Sequence, residues 1–468
     1  MTMQDATDGV ALDIATLSAA YATQRLTPGA LVDAVYRRIA RRGDDKVWLH
    51  LRPQADVLVD ARALQARRAR GEALPLYGLP FGVKDNIDVA GLPTTAGCAP
   101  FGYVATRSAA VVERLQAAGA LLLGKQNMDQ FATGLVGTRT TTGHCANAID
   151  ARYVPGGSSS GSAVAVAAGL TTFSIGSDTG GSGRVPAACN GIVGLKPTPG
   201  LVSTRGFLYC NRSFDVPPVF ALNVADAYRV LDVLAGADAE DPYSRSAPAA
   251  TARALQPGWR FAVPRPDQLE FFGDEAMRAQ FDVALGHLQT LGGRPLAIDF
   301  APFLEAGRIV FNSPLIAERW LTYGAAIEQH PEQVHPAVRQ ALSAARQYSA
   351  ADAFAALYRL QALQREVARV FTQADVLVTP TIGRLPTCAE VEADPMAANT
   401  RMGYYTYFAN PLHLAAISVP GGLRRDGLPC GISIAGPAFS EALIGTVAAA
   451  LEQRVAAHTP EHQEAVTA

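Results

Sequence analysis

The 468-residue chain has no basic tract, no cysteine pair at C-x-x-C spacing and no run of 18 apolar residues free of Gly, Ser or Thr. Each absence removes a class of function. Lys and Arg number 40 against 42 Asp and Glu, a formal charge of −2, so the electrostatic footprint needed to bind a nucleic-acid backbone is missing. An anionic membrane surface is an equally poor partner. The six cysteines, Cys98, Cys145, Cys189, Cys210, Cys388 and Cys430, lie far apart, which fits neither a disulfide framework nor a thiolate zinc site and points to a reducing, cytoplasmic setting. Residues 1–25 lack the basic stretch and apolar run of an export signal, and no segment is long enough to span a bilayer. With 18% charged and 49% hydrophobic residues, the composition is that of a globular enzyme and not of a disordered chain.

What the sequence has in excess is glycine, 42 in 468 residues, or about 9% against a usual ~7%. Much of that excess falls between Gly156 and Gly200, among serines and alanines.

Length alone suggests two or three units or one large α/β unit. Apolar residues at helical spacing predict two helices over 13–42 and a surface helix over 55–70. Beyond Gly78, short apolar runs (79–83, 120–123, 173–175) alternate with helical stretches (108–118, 162–168), the pattern of an α/β fold with a parallel or mixed sheet. Residues 223–370 read as mostly helical with few strand signals, and strand character returns at 374–380, 415–420 and 430–434. The reading is therefore one domain over 1–468: N-terminal helices (1–75), a catalytic core (76–222), a helical excursion from the sheet (223–370) and a return to it (371–468).

Two Gly/Ser loops flank one helix and one strand: Gly156-Gly157-Ser158-Ser159-Ser160-Gly161-Ser162 and Gly176-Ser177-Asp178-Thr179-Gly180-Gly181-Ser182-Gly183-Arg184. Glycines so placed let the backbone approach a ligand with successive N–H groups pointing into one cavity. A serine nucleophile needs a base, but only His144 of the eight histidines lies near. Lysine is the alternative. Lys84 ends the apolar run Gly78-Leu79-Pro80-Phe81-Gly82-Val83, which places its amine at the end of a buried strand, where desolvation favours the neutral form. A Ser–Ser–Lys relay is chemically coherent. The first loop is no phosphate loop, because Gly-Lys-Ser/Thr is absent, and no linker, because an Ala/Val helix follows.

These segments, with Lys84-Asp85-Asn86, Arg184-Val185-Pro186-Ala187 and Gly194-Leu195-Lys196-Pro197-Thr198, resemble the amidase signature family over 78–202. The resemblance implies an amidase signature fold, a large mixed central β-sheet covered by helices on both faces. It implies Ser182 as nucleophile, Ser158 as a bridging serine preceded by a cis peptide bond, and Lys84 as base. It further implies an oxyanion hole from the N–H groups of Thr179, Gly180, Gly181 and Ser182, with Ser159, Asp178 and Arg184 as supports and no metal or cofactor.

Within the family the chain is most similar to allophanate hydrolases, through 88–96, 182–188, 389–395, 426–429 and Met128-Asp129-Gln130-Phe131-Ala132-Thr133-Gly134-Leu135-Val136-Gly137-Thr138-Arg139. The implied reaction releases ammonia from allophanate through an acyl-enzyme, leaving N-carboxycarbamate to lose carbon dioxide. A carboxylated urea needs a fixed cation, and Arg319 in Ala317-Glu318-Arg319 is the expected anchor, in the second turn of a helix starting at Ser313-Pro314. The subfamily has a tyrosine eight positions earlier; here it is Phe311, so Tyr323 or a tyrosine of Tyr404-Tyr405-Thr406-Tyr407 is the alternative hydroxyl. Gly134 is expected to offer backbone contact to the ureido end.

Two other readings stand beside this one: the same chemistry on another small urea- or biuret-like amide, and a non-autonomous amidase-fold component of a complex. The expected partners are a small-molecule amide and a second copy of the chain, docked through the 13–42 helices. Relatives carry a further C-terminal domain, so a chain stopping at Ala468 reads as a short form or a truncated piece, with a larger complex formed through that domain.

Overall fold

The computed structural model describes residues 9–248, 255–311 and 313–458; the outer ends of the predicted first and last segments, 1–8 and 459–468, lie outside the described residues. Its centre is one mixed sheet built from β1 (Trp48–Leu51), β2 (Pro80–Lys84), β5 (Leu121–Gln126), β6 (Phe173–Ile175), β7 (Val193–Lys196), β8 (Val219–Ala221), β9 (Arg260–Pro264), β10 (Arg294–Ile298), β11 (Val376–Pro380), β12 (Ala415–Leu423) and β13 (Pro429–Gly436). The short β3 (Pro93–Thr94) and β4 (Tyr103–Val104) pair separately. The eleven strands run in the order β1-β5-β2-β6-β8-β7-β12-β13-β11-β9-β10, with helices around them. β2 is parallel to β5 and β6, β9 is parallel to β10 and β11, and the other pairs are antiparallel.

The β2–β6 pair positions the site. Phe81, Gly82 and Val83 face Phe173, Ser174 and Ile175 in register, so Lys84 and the Gly176-Ser177 loop leave the sheet side by side at the carboxyl ends of parallel strands. Such ends leave a crevice where no crossover helix covers the sheet. β2 is buried at every position, because strands flank it on both edges and helices pack on it. The helix Ser160–Ala167 between the two serine loops can lie in the core because its Ser, Gly, Ala and Val side chains are small: Ser160 to Val166 are all buried.

The N-terminal helices are Ile14–Ala22 and Pro28–Arg42, capped by Asp13 and Thr27, which accept the N–H groups of Thr16 and Ala30. Their apolar residues Ile14, Leu17, Leu31, Val32 and Val35 belong to the main hydrophobic core. The 223–370 segment departs from its reading as an excursion from the sheet: it holds β9 and β10, which form one edge. β9 is a short apolar run hemmed by Gly258 and Pro264, and the edge strand β10 exposes Arg294, Pro295 and Ala297, so neither shows clear alternation. Ser313-Pro314 begins a 3-10 turn (Pro314–Ile316), and the α-helix proper is Ala317–Gln329, so Arg319 sits in its first turn and not its second.

Candidate active site

Three loops meet at the end of β2. The Lys84 amine donates to Ser158 Oγ at 2.7 Å, and Ser158 Oγ donates to Ser182 Oγ at 2.8 Å. All three side chains are buried, and the Gly157–Ser158 peptide is cis. Burial pushes the Lys84 ammonium down to about 8, even though Cys210 and the carboxylates of Asp215, Asp129 and Asp178 pull the other way. The amine is therefore partly neutral near physiological pH and can accept a proton. Lys84 also reaches Ser177 Oγ at 2.9 Å, which Asn86 Nδ2 contacts at 3.1 Å.

The expected supports surround the two serine loops. Ser159 Oγ donates to Ser177 O at 3.2 Å, joining one loop to the other. The Asp178 carboxylate accepts from Arg184 Nε and Nη2, both at 3.1 Å, in a fully buried pair. Burial pushes the Asp178 carboxyl up, but the Arg184 guanidinium and the surrounding donors outweigh it and hold the group below its ordinary range. Asn410 closes this cluster, accepting from Arg184 Nη2 and donating to Asp178 O.

One member of the expected oxyanion hole is already engaged. The Gly181 N–H donates to Asp178 Oδ1 at 2.7 Å, and the Gly183 N–H to Asp178 Oδ2 at 3.0 Å. The carboxylate thereby shapes the turn around Ser182, and Gly181 serves the turn's geometry, with φ of 134°. Thr179, Gly180 and Ser182 remain as the N–H groups available to a developing oxyanion.

Ser182 opens into a cavity of about 60 Å³ whose wall includes Gly134, Thr179, Gly180, Phe311, Arg319 and Tyr407. Each predicted substrate-side residue is thus at the same cavity as the serine. Gly134 has no room for a side chain: a Cβ would lie 2.5 Å from Asp129 Oδ2. Phe311 does not face the cavity as a polar group. Its ring stacks on Tyr407 (centroids 4.1 Å apart), and the Arg319 guanidinium lies 4.8 Å from its centroid. Tyr407 is the tyrosine of the 404–407 run that reaches the cavity, its hydroxyl held by Asn399 Nδ2 at 3.0 Å. Tyr323 stacks on Phe131 in a separate apolar cluster.

Sequence reasoning missed Ser177, Asn211 and Asp215. Ser177 stood in the second loop without a role, and its neighbour relationship to Lys84 follows from β2–β6 register alone. Asp215 accepts from Thr179 Oγ1 and from the N–H groups of Cys210 and Asn211, and burial pushes its carboxyl up to about 6. Neither Asn211 nor Asp215 carries a local motif. Among the described residues no three His, Cys, Asp or Glu side chains cluster as metal ligands would, and no helix is long and apolar enough to cross a membrane.

Comparison with known proteins places this arrangement. The family model described as Amidase matches residues 30–444. The chain is 40% identical over 400 residues to the urea amidolyase of Saccharomyces cerevisiae, covering 85% of this chain and 22% of that protein, so it spans about a fifth of that relative's length. A solved structure of a serine-to-alanine variant of Kluyveromyces lactis allophanate hydrolase superposes with a TM-score of 0.88 at 37% identity, covering 92% of this chain and 71% of the other. A component of the glutamyl-tRNA(Gln) amidotransferase of Chloroflexus aggregans is 35% identical over 490 residues, covering 96% and 97% of the two chains. With the family match spanning all three loops and the sheet that carries them, the chain belongs to the amidase family.

Proposed function

We propose that the chain hydrolyses allophanate, with Ser182 as nucleophile, Ser158 as proton relay and Lys84 as general base. The observation that carries the reading is the unbroken hydrogen-bonded line from Lys84 through Ser158 to Ser182, ending in a small cavity that also holds a buried arginine. Ser182 Oγ attacks the terminal carbonyl carbon while its proton passes to Ser158 Oγ, whose own proton passes to the neutral Lys84 amine. The carbonyl oxygen takes up the negative charge against the N–H groups of Thr179, Gly180 and Ser182. Collapse breaks the C–N bond, and the departing nitrogen takes the proton back through Ser158 and leaves as ammonia. Water then cleaves the acyl ester by the same relay, releasing N-carboxycarbamate, which loses carbon dioxide.

Arg319 supports the choice of a carboxylated urea. It is 4% exposed, and Nη2 has no partner among the described residues, so a donor is left over for an anion. Tyr407 supplies the hydroxyl that Phe311 lacks, since the two rings are stacked at the same wall. The test is ammonia release from allophanate and from the neutral analogue biuret by the intact chain and by Arg319→Ala. A strong preference for allophanate that collapses in the variant supports the assignment; an unchanged preference refutes it.

The near full-length match to an amidotransferase component favours a second reading, in which the chain acts within a complex. Turnover of allophanate by the purified chain alone would set this aside.

A further inference from the structure

We propose that Asn211 is a positioning residue for carboxylate selection: it holds the Arg319 guanidinium in place and ties it to the loop that carries Ser182. The inference rests on the reading of Arg319 as the carboxylate anchor and adds the group that makes the anchor rigid.

An arginine side chain has many rotamers, and a free one binds an anion only after losing that freedom. Arg319 is spared most of that loss. Its Nε donates to Asn211 Oδ1 at 2.6 Å, between two buried side chains, and its guanidinium carbon lies over the Phe311 ring. Asn211 is itself held on every side. Its Nδ2 donates to Leu315 O at 3.0 Å and to Glu318 Oε2 at 3.2 Å, and its backbone N–H donates to Asp215 Oδ1 at 3.1 Å. The same Asp215 carboxylate accepts from Thr179 Oγ1, three residues before Ser182. One amide thus faces a guanidinium with its oxygen and a carbonyl and carboxylate with its nitrogen. Among side chains of this size only asparagine does both.

Among the described residues Arg319 Nη2 is left without a partner. The hydrogen bonds also connect the anion-binding group to the acyl-transfer loop through two residues, 211 and 215. Asn211 touches neither substrate nor serine; it acts through Arg319.

The experiment compares the full chain with Asn211→Ala, the isosteric Asn211→Asp and Arg319→Ala, measuring kcat and KM for allophanate, with biuret assayed as substrate and as competitor. Thermal unfolding midpoints report on the fold. For Asn211→Ala, KM for allophanate is expected to rise about 10- to 100-fold, while kcat and the inhibition by biuret change less than about threefold. Asn211→Asp fills the same space but offers Arg319 a competing carboxylate, so its KM is expected to rise at least as much. It keeps the test open if the alanine variant folds poorly. Unchanged KM in both variants beside a raised KM in Arg319→Ala would overturn the proposal and leave the anchor reading intact. An equal loss on allophanate and biuret would also overturn it, by assigning Asn211 to the serine loop. If Arg319→Ala itself leaves the allophanate KM unchanged, the anchor reading fails first.

Discussion

The ring of Phe311 lies so close to Gly180 that a Cβ on Gly180 would meet Cζ at 2.2 Å. An aromatic side chain from a distant helix thus packs against the loop that carries Ser182, and both line the same cavity. Gly180→Ala is expected to shift the Gly180 backbone and its N–H within the loop and lower kcat by about 10²-fold, the usual order for loss of one oxyanion donor. Adding Phe311→Leu should return part of the rate by making room. Steady-state kinetics on the single and double variants check the coupling; purely additive effects would count against it.

Ser158 tests the relay. Removing its hydroxyl leaves Lys84 with Ser177 as a partner, so the fold is expected to survive. The rate should fall by a factor of about 10³ or more, because Ser182 loses its path to the base. Ammonia release by Ser158→Ala, read beside its unfolding midpoint, separates the two. Activity within tenfold of the intact chain would remove Ser158 from the mechanism.

Lys84 predicts the pH dependence. Only the neutral amine accepts a proton, and burial sets its pKa at about 8. Below that value the neutral fraction falls about tenfold per pH unit, so kcat/KM should rise with pH and level off above about 8. A profile flat from about pH 6 to pH 9 would be incompatible with Lys84 as base.

Asp178 and Arg184 predict stability. Replacing one partner of a buried ion pair strands the other, at a cost of about 3–5 kcal/mol. Arg184→Met, similar in length and uncharged, should therefore lower the urea midpoint sharply. In the intact protein Asp178 has a depressed pKa, so its contribution is present above the ordinary carboxylate range and is lost as pH falls through the folded value. Without the guanidinium, burial raises the carboxyl, so the gap between variant and intact protein should narrow in acid. Denaturant unfolding at two pH values measures this.

The three loops were readable because their chemistry is written in contiguous residues: Lys84-Asp85-Asn86, the 156–162 run and the 176–184 run each carry their own glycines and polar groups. The α/β class was readable for the same reason, from short apolar runs bounded by Gly and Pro. The helical middle misled because the edge strand β10 needs no apolar alternation when much of it faces solvent. The Gly181 N–H stands in sequence on a par with its neighbours in the oxyanion set that the resemblance implied, and only the folded turn pairs it with Asp178.

Local order in the chain was enough for the residue types of the relay, the two glycine-rich turns and the capped helices, since these depend on neighbours a few residues apart. Distances between loops depend on β2–β6 register, and the roles of Asn211, Asp215 and Tyr407 depend on partners up to 227 residues away, such as Tyr407 on Gly180. A lone asparagine has no meaning until folding buries it against a guanidinium. Burial then makes each of its hydrogen bonds obligatory.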